Sequence, residues 1–386
     1  MKILSVVGAR PNFMKIAPFA AAITRHNASH SGQPVQHVLV HSGQHYDPTL
    51  SAYFFDELGI PAPDHHLNVG SGSHAYQIGT TMINFEKVLL EEQPNWVVVV
   101  GDVNAVCACS IIAKKHSFRV AHIEAGLRSR DWTMPEEINR VVADRLADLL
   151  FTTCGFADDN LTREGVLALM VERVGNIMID TLETHRANAA ARNVKQVVSA
   201  NRAVELPPLV VELAGPEGFG VLTLHRPSNV DDPAILGRTL ALIEEFAARL
   251  PLVFPVHPRT AGRFREFGLW PRLVANSRII VVEPLGYVDL LSLTLTARMV
   301  LTDSGGIQEE ACIAGTPCLT LRANTERPAT LVEHGGTNQL VGTDPEHVRE
   351  AFALALEQPR RPYRPPMWDG HTAERILARL LSEPQN

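Results

Sequence analysis

Carboxylates follow two buried, β-branched runs in the first half of the chain. Asp102 lies just after the valine-rich run 96–100, and Glu124 lies just after the run 119–123. The carboxyl ends of parallel strands meet at one edge of a sheet, so we expect both side chains to point into one cleft. Carboxylates gathered there would raise one another's pKa values and could supply acid–base groups.

A third carboxylate comes from a predicted helix start. Pro135 is followed by Glu136 and Glu137, and proline favours the first position of a helix. Acidic residues in a first turn complement the helix dipole, which is the ordinary role for at least one of the two. We expect Glu136 to belong to the acid–base set and Glu137 to face solvent at the helix start.

One segment of the second half carries residue types that bind phosphate. Ser304, Gly305 and Gly306 lie between a buried run and a helical stretch, where backbone N–H groups and the helix dipole favour an anion. Glu310, about two turns into that helix, is within reach of a ribose hydroxyl pair. The pattern predicts a nucleotide site, with a plain glycine-containing turn as the alternative.

Other candidate contacts follow further apolar runs. Arg10 and Lys15 come after the first run near a helix start and suit a diphosphate or another anion, unless they are merely solvated cations. His225 and His257 each follow an apolar run of the second half. A single histidine there is more often structural, but two at equivalent strand ends favour a shared site.

Cofactor signatures are missing from the places where they would be expected. The first run leads into Gly8-Ala9-Arg10-Pro11, without the G-x-G-x-x-G of a nicotinamide dehydrogenase. The histidines near positions 41–45 and 65–66 lack the spacing of metal ligands, and none of the five cysteines forms a C-x-x-C pair. We expect no metal and no cofactor.

The elements that position these residues alternate along the whole chain. Short apolar runs and longer amphipathic stretches follow one another in βαβα order, which predicts α/β, doubly wound domains. The pattern weakens around 186–218, so we expect a first domain over 1–185 and a second over 205–368, flanking a cleft. The predicted strands are 3–7, 35–41, 96–100, 119–123, 149–152, 220–224, 252–256, 278–282, 299–302 and 317–321.

Composition excludes several classes of protein. The 386 residues carry a net charge of −7, which argues against a broad nucleic-acid surface. No apolar stretch approaches the roughly 18 residues of a membrane span, and scattered cysteines suit a reducing compartment. We expect a cytoplasmic protein with no membrane partner.

Taken together, the motifs resemble one family, the non-hydrolysing UDP-N-acetylglucosamine 2-epimerases. The resemblance runs in order from residue 1 to about residue 380. It implies a glycosyltransferase-B-like fold of two Rossmann-type domains, a last helix (372–384) packed back onto the first domain, and a homodimer. The segments that carry it are Gly8–Lys15, Gly43–His45, Gly101-Asp102, His122–Arg128, Pro135–Arg140, His225-Arg226, Pro255–His257, Asp303–Glu310, Glu326–Pro328 and Asp369–Ile376.

The resemblance also implies roles for the candidate residues. UDP would leave the anomeric carbon, a carboxylate would take the proton of carbon 2 to give 2-acetamidoglucal, and re-addition of UDP would give the manno epimer for surface polysaccharide synthesis. The implied catalytic residues are Asp102, Glu124, Glu136 and His225. The implied contacts to UDP and sugar are Arg10, Lys15, Ser304, Gly305, Gly306, Glu310 and Arg327, to which the strand-end position adds His257.

Related activities remain open at this point. A 2-epimerase acting on UDP-2,3-diacetamido-2,3-dideoxyglucuronate has similar opening motifs, and a hydrolysing epimerase would release free N-acetylmannosamine. A glycosyltransferase could use the same fold and UDP site but would require an acceptor, and a non-enzymatic nucleotide-sugar sensor would not need the carboxylates.

Regulation is where the sequence leaves the family pattern. Many bacterial members are activated by a second UDP-GlcNAc held by a Gln-His-Arg-Gln segment and by an arginine after a Leu-Asn pair. Here the segment reads Gln44-His45-Tyr46-Asp47, and no arginine follows Leu67-Asn68 closely. An aspartate repels a diphosphate, so we expect no strong activation by UDP-GlcNAc.

Overall fold

The computed structural model describes residues 1–29, 32–43, 54–202, 213 and 218–384, apart from the side chain of Arg10. The segment 44–47, on which the expectation about activation depends, lies outside the described residues. The chain divides into two compact units. The first comprises Met1–Thr181 with the chain from Pro366 onward, and the second comprises Leu182–Pro365.

The first unit is built on a seven-stranded sheet in the order β3-β2-β1-β4-β5-β6-β7, in which all pairs are parallel. The strands are β1 (Lys2–Val7), β2 (Gln36–His41), β3 (His65–His66), β4 (Trp96–Val100), β5 (Val120–Ala125), β6 (Leu149–Thr152) and β7 (Val171–Arg173). The helices are α1 (Arg10–Ala28), α2 (His74–Glu92), α3 (Asn104–Lys115), α4 (Pro135–Leu146), α5 (Gly155–Arg163) and the 3-10 turn Ala168–Met170.

Helix α6 (Ile177–Ala190) carries the chain from the first unit to the second, because the boundary after Thr181 falls inside it. The second unit has a six-stranded parallel sheet in the order β10-β9-β8-β11-β12-β13. Its strands are β8 (Gly220–Thr223), β9 (Leu252–Pro255), β10 (Ile279–Val282), β11 (Met299–Thr302), β12 (Cys318–Thr320) and β13 (Asn338–Leu340).

Helices surround this second sheet. They are α7 (Val194–Ala200), α8 (Pro227–Val230), α9 (Pro233–Arg249), α10 (Pro258–Glu266), α11 (Trp270–Ala275), α12 (Tyr287–Thr296), α13 (Gly305–Ala314) and α14 (Pro345–Glu357), with 3-10 turns at Pro328–Thr330 and Val332–His334. Consecutive residues of β8 pack on opposite faces of the sheet, since Leu222 belongs to one apolar cluster and Val221 to another. Both faces of the sheet are therefore buried, as the continuous apolar runs predict.

The last helix, α15 (Thr372–Ser382), belongs to the first unit. Asp180 on α6 accepts hydrogen bonds from the backbone N–H groups of Thr372 and Ala373, at 3.1 and 2.7 Å. Arg25 on α1 lies 3.2 Å from Glu374 in the first turn of the same helix. A buried carboxylate therefore caps α15 and holds it against the first unit.

Each sheet reverses its strand order once, between β1 and β4 in the first unit and between β8 and β11 in the second. Crevices at such reversals, outside the carboxyl ends of the strands, are where doubly wound domains bind ligands. Within the described ranges, no helix combines the length and apolarity that crossing a membrane requires.

Candidate active site

Lys15 and Glu124 form a buried ion pair in the first unit. Their side chains are 6% and 2% exposed, so water screens the pair little. Glu124 lies where the pairing of β5 with β6 shifts register, and its φ is 70°. This β-bulge and left-handed backbone, rather than the ordinary alternation of a strand, set the direction of the Glu124 carboxylate.

Gly101 makes room for this pair. Its φ is +73°, and a Cβ placed on it would lie 2.9 Å from Lys15 Nζ. Asn12 secures the turn beside it, because its Nδ2 donates to the carbonyl of Val100 at 2.7 Å and its Oδ1 accepts from the N–H of Ala9 at 3.2 Å. The chain after β1 and the chain after β4 are thereby joined at the point where the strand order reverses.

Asp102 is held by Arg140 on α4. Nε and Nη2 of Arg140 donate to Asp102 Oδ2 at 3.1 and 2.7 Å, and Nη1 donates to Glu137 Oε2 at 2.6 Å. Arg140 is 2% exposed, and the charges of two carboxylates compensate its own. The side chain of Asp102 remains 22% exposed.

The expectation that Glu137 faces solvent is wrong. Glu137 is 1% exposed and accepts hydrogen bonds from the N–H groups of Ser129 and Arg130, at 2.9 and 2.8 Å, and from the Ser129 hydroxyl at 3.0 Å. Consecutive helix positions point about 100° apart, so Glu136, which is half-buried, lies on a neighbouring face of α4. The inward carboxylate of the pair organises the loop before the helix.

A second buried network joins the ends of β4 and β5. His122 Nε2 lies 2.8 Å from the carbonyl oxygen of Gly101, and Nδ1 lies 2.7 Å from Asp144 Oδ1. Asp144 Oδ2 accepts from the N–H of Gly126 at 3.0 Å and lies 2.7 Å from Arg128 Nη1. Burial opposes ionisation of Asp144, but His122 and Arg128 outweigh it and lower its pKa. No role for these residues follows from the sequence, since nothing in a strand's pattern identifies its hydrogen-bond partners.

In the second unit, His225 follows β8 and its neighbour Asp303 follows β11, the two strands where the order reverses. His225 Nδ1 lies 2.8 Å from Asp303 Oδ1. The His225 side chain is 36% exposed, whereas that of Asp303 is fully buried. Asp303 belongs to one of the motifs that carry the family resemblance, but its pairing with His225 depends on the fold and has no signal in the sequence.

His257 lies close to His225, with ring centroids 5.8 Å apart. It is the N-cap of α10, and its Nδ1 accepts the N–H of Arg259 at 3.2 Å. The two strand-end histidines expected from the sequence are therefore neighbours in this unit.

The predicted phosphate-binding turn lies between β11 and α13. Ser304 is the N-cap of α13, and no side-chain cap bond of Ser304 is found among the described residues. A Cβ on Gly305 would lie 2.6 Å from Glu326 Oε1, which explains the glycine there. Arg327, at 6% exposure, lies with Nε 2.9 Å from Glu309 Oε1.

Glu310 is the sixth residue of α13 and is 3% exposed. Burial raises its pKa to about 7, with the charge of Glu309 adding to the shift and a hydrogen bond from Tyr287 opposing it. The carboxyl therefore titrates near neutral pH. As to metals, no group of three or more histidine, cysteine or acidic side chains suited to a metal ion occurs in the described part of the chain.

Comparison with known proteins places this arrangement in a family. The sequence model of the family described as UDP-N-acetylglucosamine 2-epimerase matches residues 27–381. The chain belongs to this family. It is thus an enzyme of the isomerase class, as the motifs predict.

Relatives of this epimerase-family chain are named for two different substrates. A UDP-N-acetylglucosamine 2-epimerase from Methanocaldococcus jannaschii is 39% identical, and the match covers 99% of each chain. A UDP-2,3-diacetamido-2,3-dideoxy-D-glucuronate 2-epimerase from Pseudomonas aeruginosa is 37% identical over 92% of each chain. Overall identity therefore does not separate the two sugars.

Solved structures confirm the predicted glycosyltransferase-B-like fold with two Rossmann-type domains. The Methanocaldococcus jannaschii UDP-GlcNAc 2-epimerase, in complex with UDP-GlcNAc and UDP, matches with a TM-score of 0.88 and 38% identity, covering 99% of this chain and 100% of that one. A lipopolysaccharide outer core galactosyltransferase, with a TM-score of 0.50 and 13% identity, covers 98% of this chain and 100% of its own and shares the fold alone.

Proposed function

We propose that this enzyme interconverts UDP-GlcNAc and UDP-ManNAc without hydrolysing them. One observation carries the proposal. In each parallel sheet, side chains and backbone groups suited to this reaction lie at the place where the strand order reverses. The first unit supplies Asp102 and the pair Lys15–Glu124. The second supplies His225 and the turn that begins α13.

The chemistry explains why both parts are needed. The C–H bond at carbon 2 of an N-acetylhexosamine is not next to a carbonyl, so direct deprotonation at neutral pH is strongly uphill. Departure of UDP from the anomeric carbon leaves an oxocarbenium-like centre that acidifies carbon 2. A carboxylate then takes that proton to give 2-acetamidoglucal. Protonation on the opposite face and return of UDP complete the inversion with no net change in oxidation state.

The leaving diphosphate is assigned to residues of the second unit. Backbone N–H groups at the start of α13 and the ring of His225 supply hydrogen bonds and positive charge as negative charge develops on the diphosphate. Arg10, which opens α1, is assigned the same task on the basis of the family resemblance. Glu310 is assigned to the ribose hydroxyls.

Proton transfer at carbon 2 is assigned to Asp102, Glu124 and Glu136. Their surroundings differ, because Glu124 is buried against Lys15, Asp102 is fixed by Arg140, and Glu136 is half-buried at a helix start. Two groups in different surroundings can act on opposite faces of one sugar ring. The different surroundings of these three carboxylates support a mechanism in which two of them act as the acid and the base.

The experiment is incubation of the chain with UDP-GlcNAc alone in D₂O, followed by NMR of the sugar. We expect UDP-ManNAc to form with deuterium at carbon 2, since the abstracted proton exchanges with solvent. Product without deuterium there would refute elimination. Free N-acetylmannosamine formed at the epimerisation rate would indicate a hydrolysing enzyme, and turnover only with an acceptor would indicate a glycosyltransferase.

A second candidate substrate is favoured by the Pseudomonas aeruginosa relative, which is named for UDP-2,3-diacetamido-2,3-dideoxy-D-glucuronate. Both sugars need the same inversion at carbon 2, and the uronate adds a carboxylate that requires a cation. Ratios of kcat/KM for the two substrates decide between them. A uronate preference above about tenfold, or 1.4 kcal/mol, would assign the enzyme to that sugar.

Assembly and cellular role are further parts of the proposal. Following the family resemblance, we propose a cytoplasmic homodimer that supplies UDP-ManNAc for surface polysaccharides. Light scattering after size exclusion tests the dimer, because one chain has a mass of 42.3 kDa.

A further inference from the structure

Asp303 is surrounded by hydrogen-bond donors. Its carboxylate accepts from the backbone N–H of His225 at 3.0 Å to Oδ2, from that of Arg226 at 2.9 Å, and from Asn229 Nδ2 at 3.1 Å. Each of these groups can only donate a hydrogen. A fully buried carboxyl with only donors around it is stable as the carboxylate.

The ionised state of Asp303 determines where the proton of His225 lies. His225 Nδ1 is 2.8 Å from Asp303 Oδ1, and a carboxylate can only accept. Nδ1 must therefore carry a hydrogen, which leaves Nε2 as the nitrogen not engaged by Asp303. Burial raises the pKa of Asp303, but the hydrogen bond and charge of His225 outweigh it, and the pKa lies below its usual value.

His257 is in the opposite state. Its Nδ1 accepts the backbone N–H of Arg259, so Nδ1 carries the lone pair and Nε2 carries the hydrogen in the neutral ring. The two rings lie 5.8 Å apart between centroids but face different partners. One ring is paired with a carboxylate, and the other is paired with an amide hydrogen.

We propose that Asp303 is the positioning residue for His225, and that it makes His225, not His257, the histidine that can hold a positive charge toward the leaving diphosphate. The task of His225 rests on the proposed function, whereas its tautomer does not. The carboxylate holds His225 at two points, its backbone N–H and its ring Nδ1, so the ring is oriented before substrate binds. Among the described residues, the charged Asp303, the charged side chain of the next residue, Arg226, and the titratable ring of His257 lie beside it.

The tautomers are measured on the full chain labelled with ¹⁵N-histidine, using long-range ¹H–¹⁵N correlation spectra. His225→Gln and His257→Gln assign the two signals. We expect an Nδ1–H ring or a doubly protonated ring for His225 and an Nε2–H ring for His257. A neutral Nε2–H ring for His225 in the unaltered chain would overturn the proposal, whether or not Asp303→Asn folds.

The effect on rate is measured with Asp303→Asn. An amide can donate to Nδ1 and reverse the tautomer, so kcat is expected to fall by about 10²–10⁴ while KM changes less than about threefold. Asp344→Asn, at the exposed N-cap of α14, is the matched control and is expected to retain wild-type kcat. Asp303→Asn with wild-type tautomer and wild-type kcat would refute the assignment.

A double variant separates positioning from a structural role. If Asp303 acts through His225, Asp303→Asn should lower kcat less than about twofold further in a His225→Gln background. An equal loss in both backgrounds would show that Asp303 acts independently of His225 and would overturn the proposal. An unaltered chain without epimerase activity would refute the proposed function, while the ¹⁵N spectra still decide the orientation of His225.

Discussion

Arg140 donates two hydrogen bonds to a single oxygen of Asp102, from Nε at 3.1 Å and from Nη2 at 2.7 Å. The same guanidinium bonds Glu137 through its remaining nitrogen. A buried cation thus links one proposed catalytic carboxylate to a carboxylate that shapes the preceding loop. A substitution of Glu137 is therefore expected to shift Arg140 and, through it, the carboxylate of Asp102.

Glu137→Gln should lower both stability and turnover. The change removes half of the charge compensation of a buried arginine, for which costs of about 3–5 kcal/mol are typical. Guanidinium unfolding and steady-state kinetics measure the two effects. Glu136→Gln is the matched control, since we expect it to reduce kcat by about 10² or more while unfolding as the unaltered chain does. The reverse pattern, with Glu137→Gln mild and Glu136→Gln destabilising, would contradict the assignment of the two faces of α4.

Gly101→Ala should inactivate the enzyme through Lys15. The added methyl would press on Lys15 Nζ and move it from Glu124, and the φ of +73° adds a cost of about 1–2 kcal/mol. Gly165→Ala is the control, because Gly165 has a φ of +78° but nothing within 4 Å of the added Cβ. Both variants should lose stability through the backbone, and Gly101→Ala should lose more because it also disturbs the Lys15–Glu124 pair. Only Gly101→Ala should lose more than about tenfold in kcat. Equal kcat values in the two variants would argue against a role for the Lys15 position.

Stability should fall on acidification because of two histidines in the first unit. Burial lowers the pKa of His37 and of His41 from 6.5 to about 4, with a minor opposing effect of Asp64 on His37 and a minor reinforcing effect of His66 on His41. Between pH 6.5 and 4 the unfolded chain binds more protons than the folded one, so the free energy of unfolding decreases as pH falls through this window.

The size of the effect is about 2 kcal/mol per histidine between pH 6.5 and 4.5. Denaturant unfolding at several pH values gives the slope of the unfolding free energy against pH, and His41→Gln should reduce the acid-induced loss across this window by about 2 kcal/mol. The exposed His347→Gln is expected to leave the slope unchanged. If His41→Gln also leaves the slope unchanged, proton uptake by His41 is not what weakens the fold in acid.

Glu310→Gln should separate stability from nucleotide binding. With a pKa of about 7, the folded carboxyl is largely protonated between pH 4.5 and 7 while the unfolded one is ionised, so this residue makes the fold less stable as pH rises through that window. Glutamine has no charge to bury and should keep or improve stability at pH 8. It should nevertheless weaken UDP binding about tenfold, as measured by calorimetry. Unchanged UDP affinity would contradict the ribose assignment.

Sequence patterns predicted the central strands well, because a strand buried on both faces must be continuously apolar. The run Trp96–Val100 and the strand Met299–Thr302 begin and end where they were predicted. The edge strands His65–His66, Val171–Arg173 and Asn338–Leu340 were not predicted, since they are two or three residues long and only partly buried. Such segments acquire strand structure from the neighbour that they pair with.

The parallel α/β architecture, the family and the chemical types of the candidate residues follow from the amino-acid sequence alone, because they depend on local periodicity and on motifs. The directions in which those residues point follow from the three-dimensional fold. Glu124 turns toward Lys15 through a bulge, and Glu137 rather than Glu136 enters the interior. The ionised Asp303, contributed by a different strand, fixes the proton of His225. Burial and hydrogen-bond partners arise from segments far apart in the chain, so no local pattern contains them.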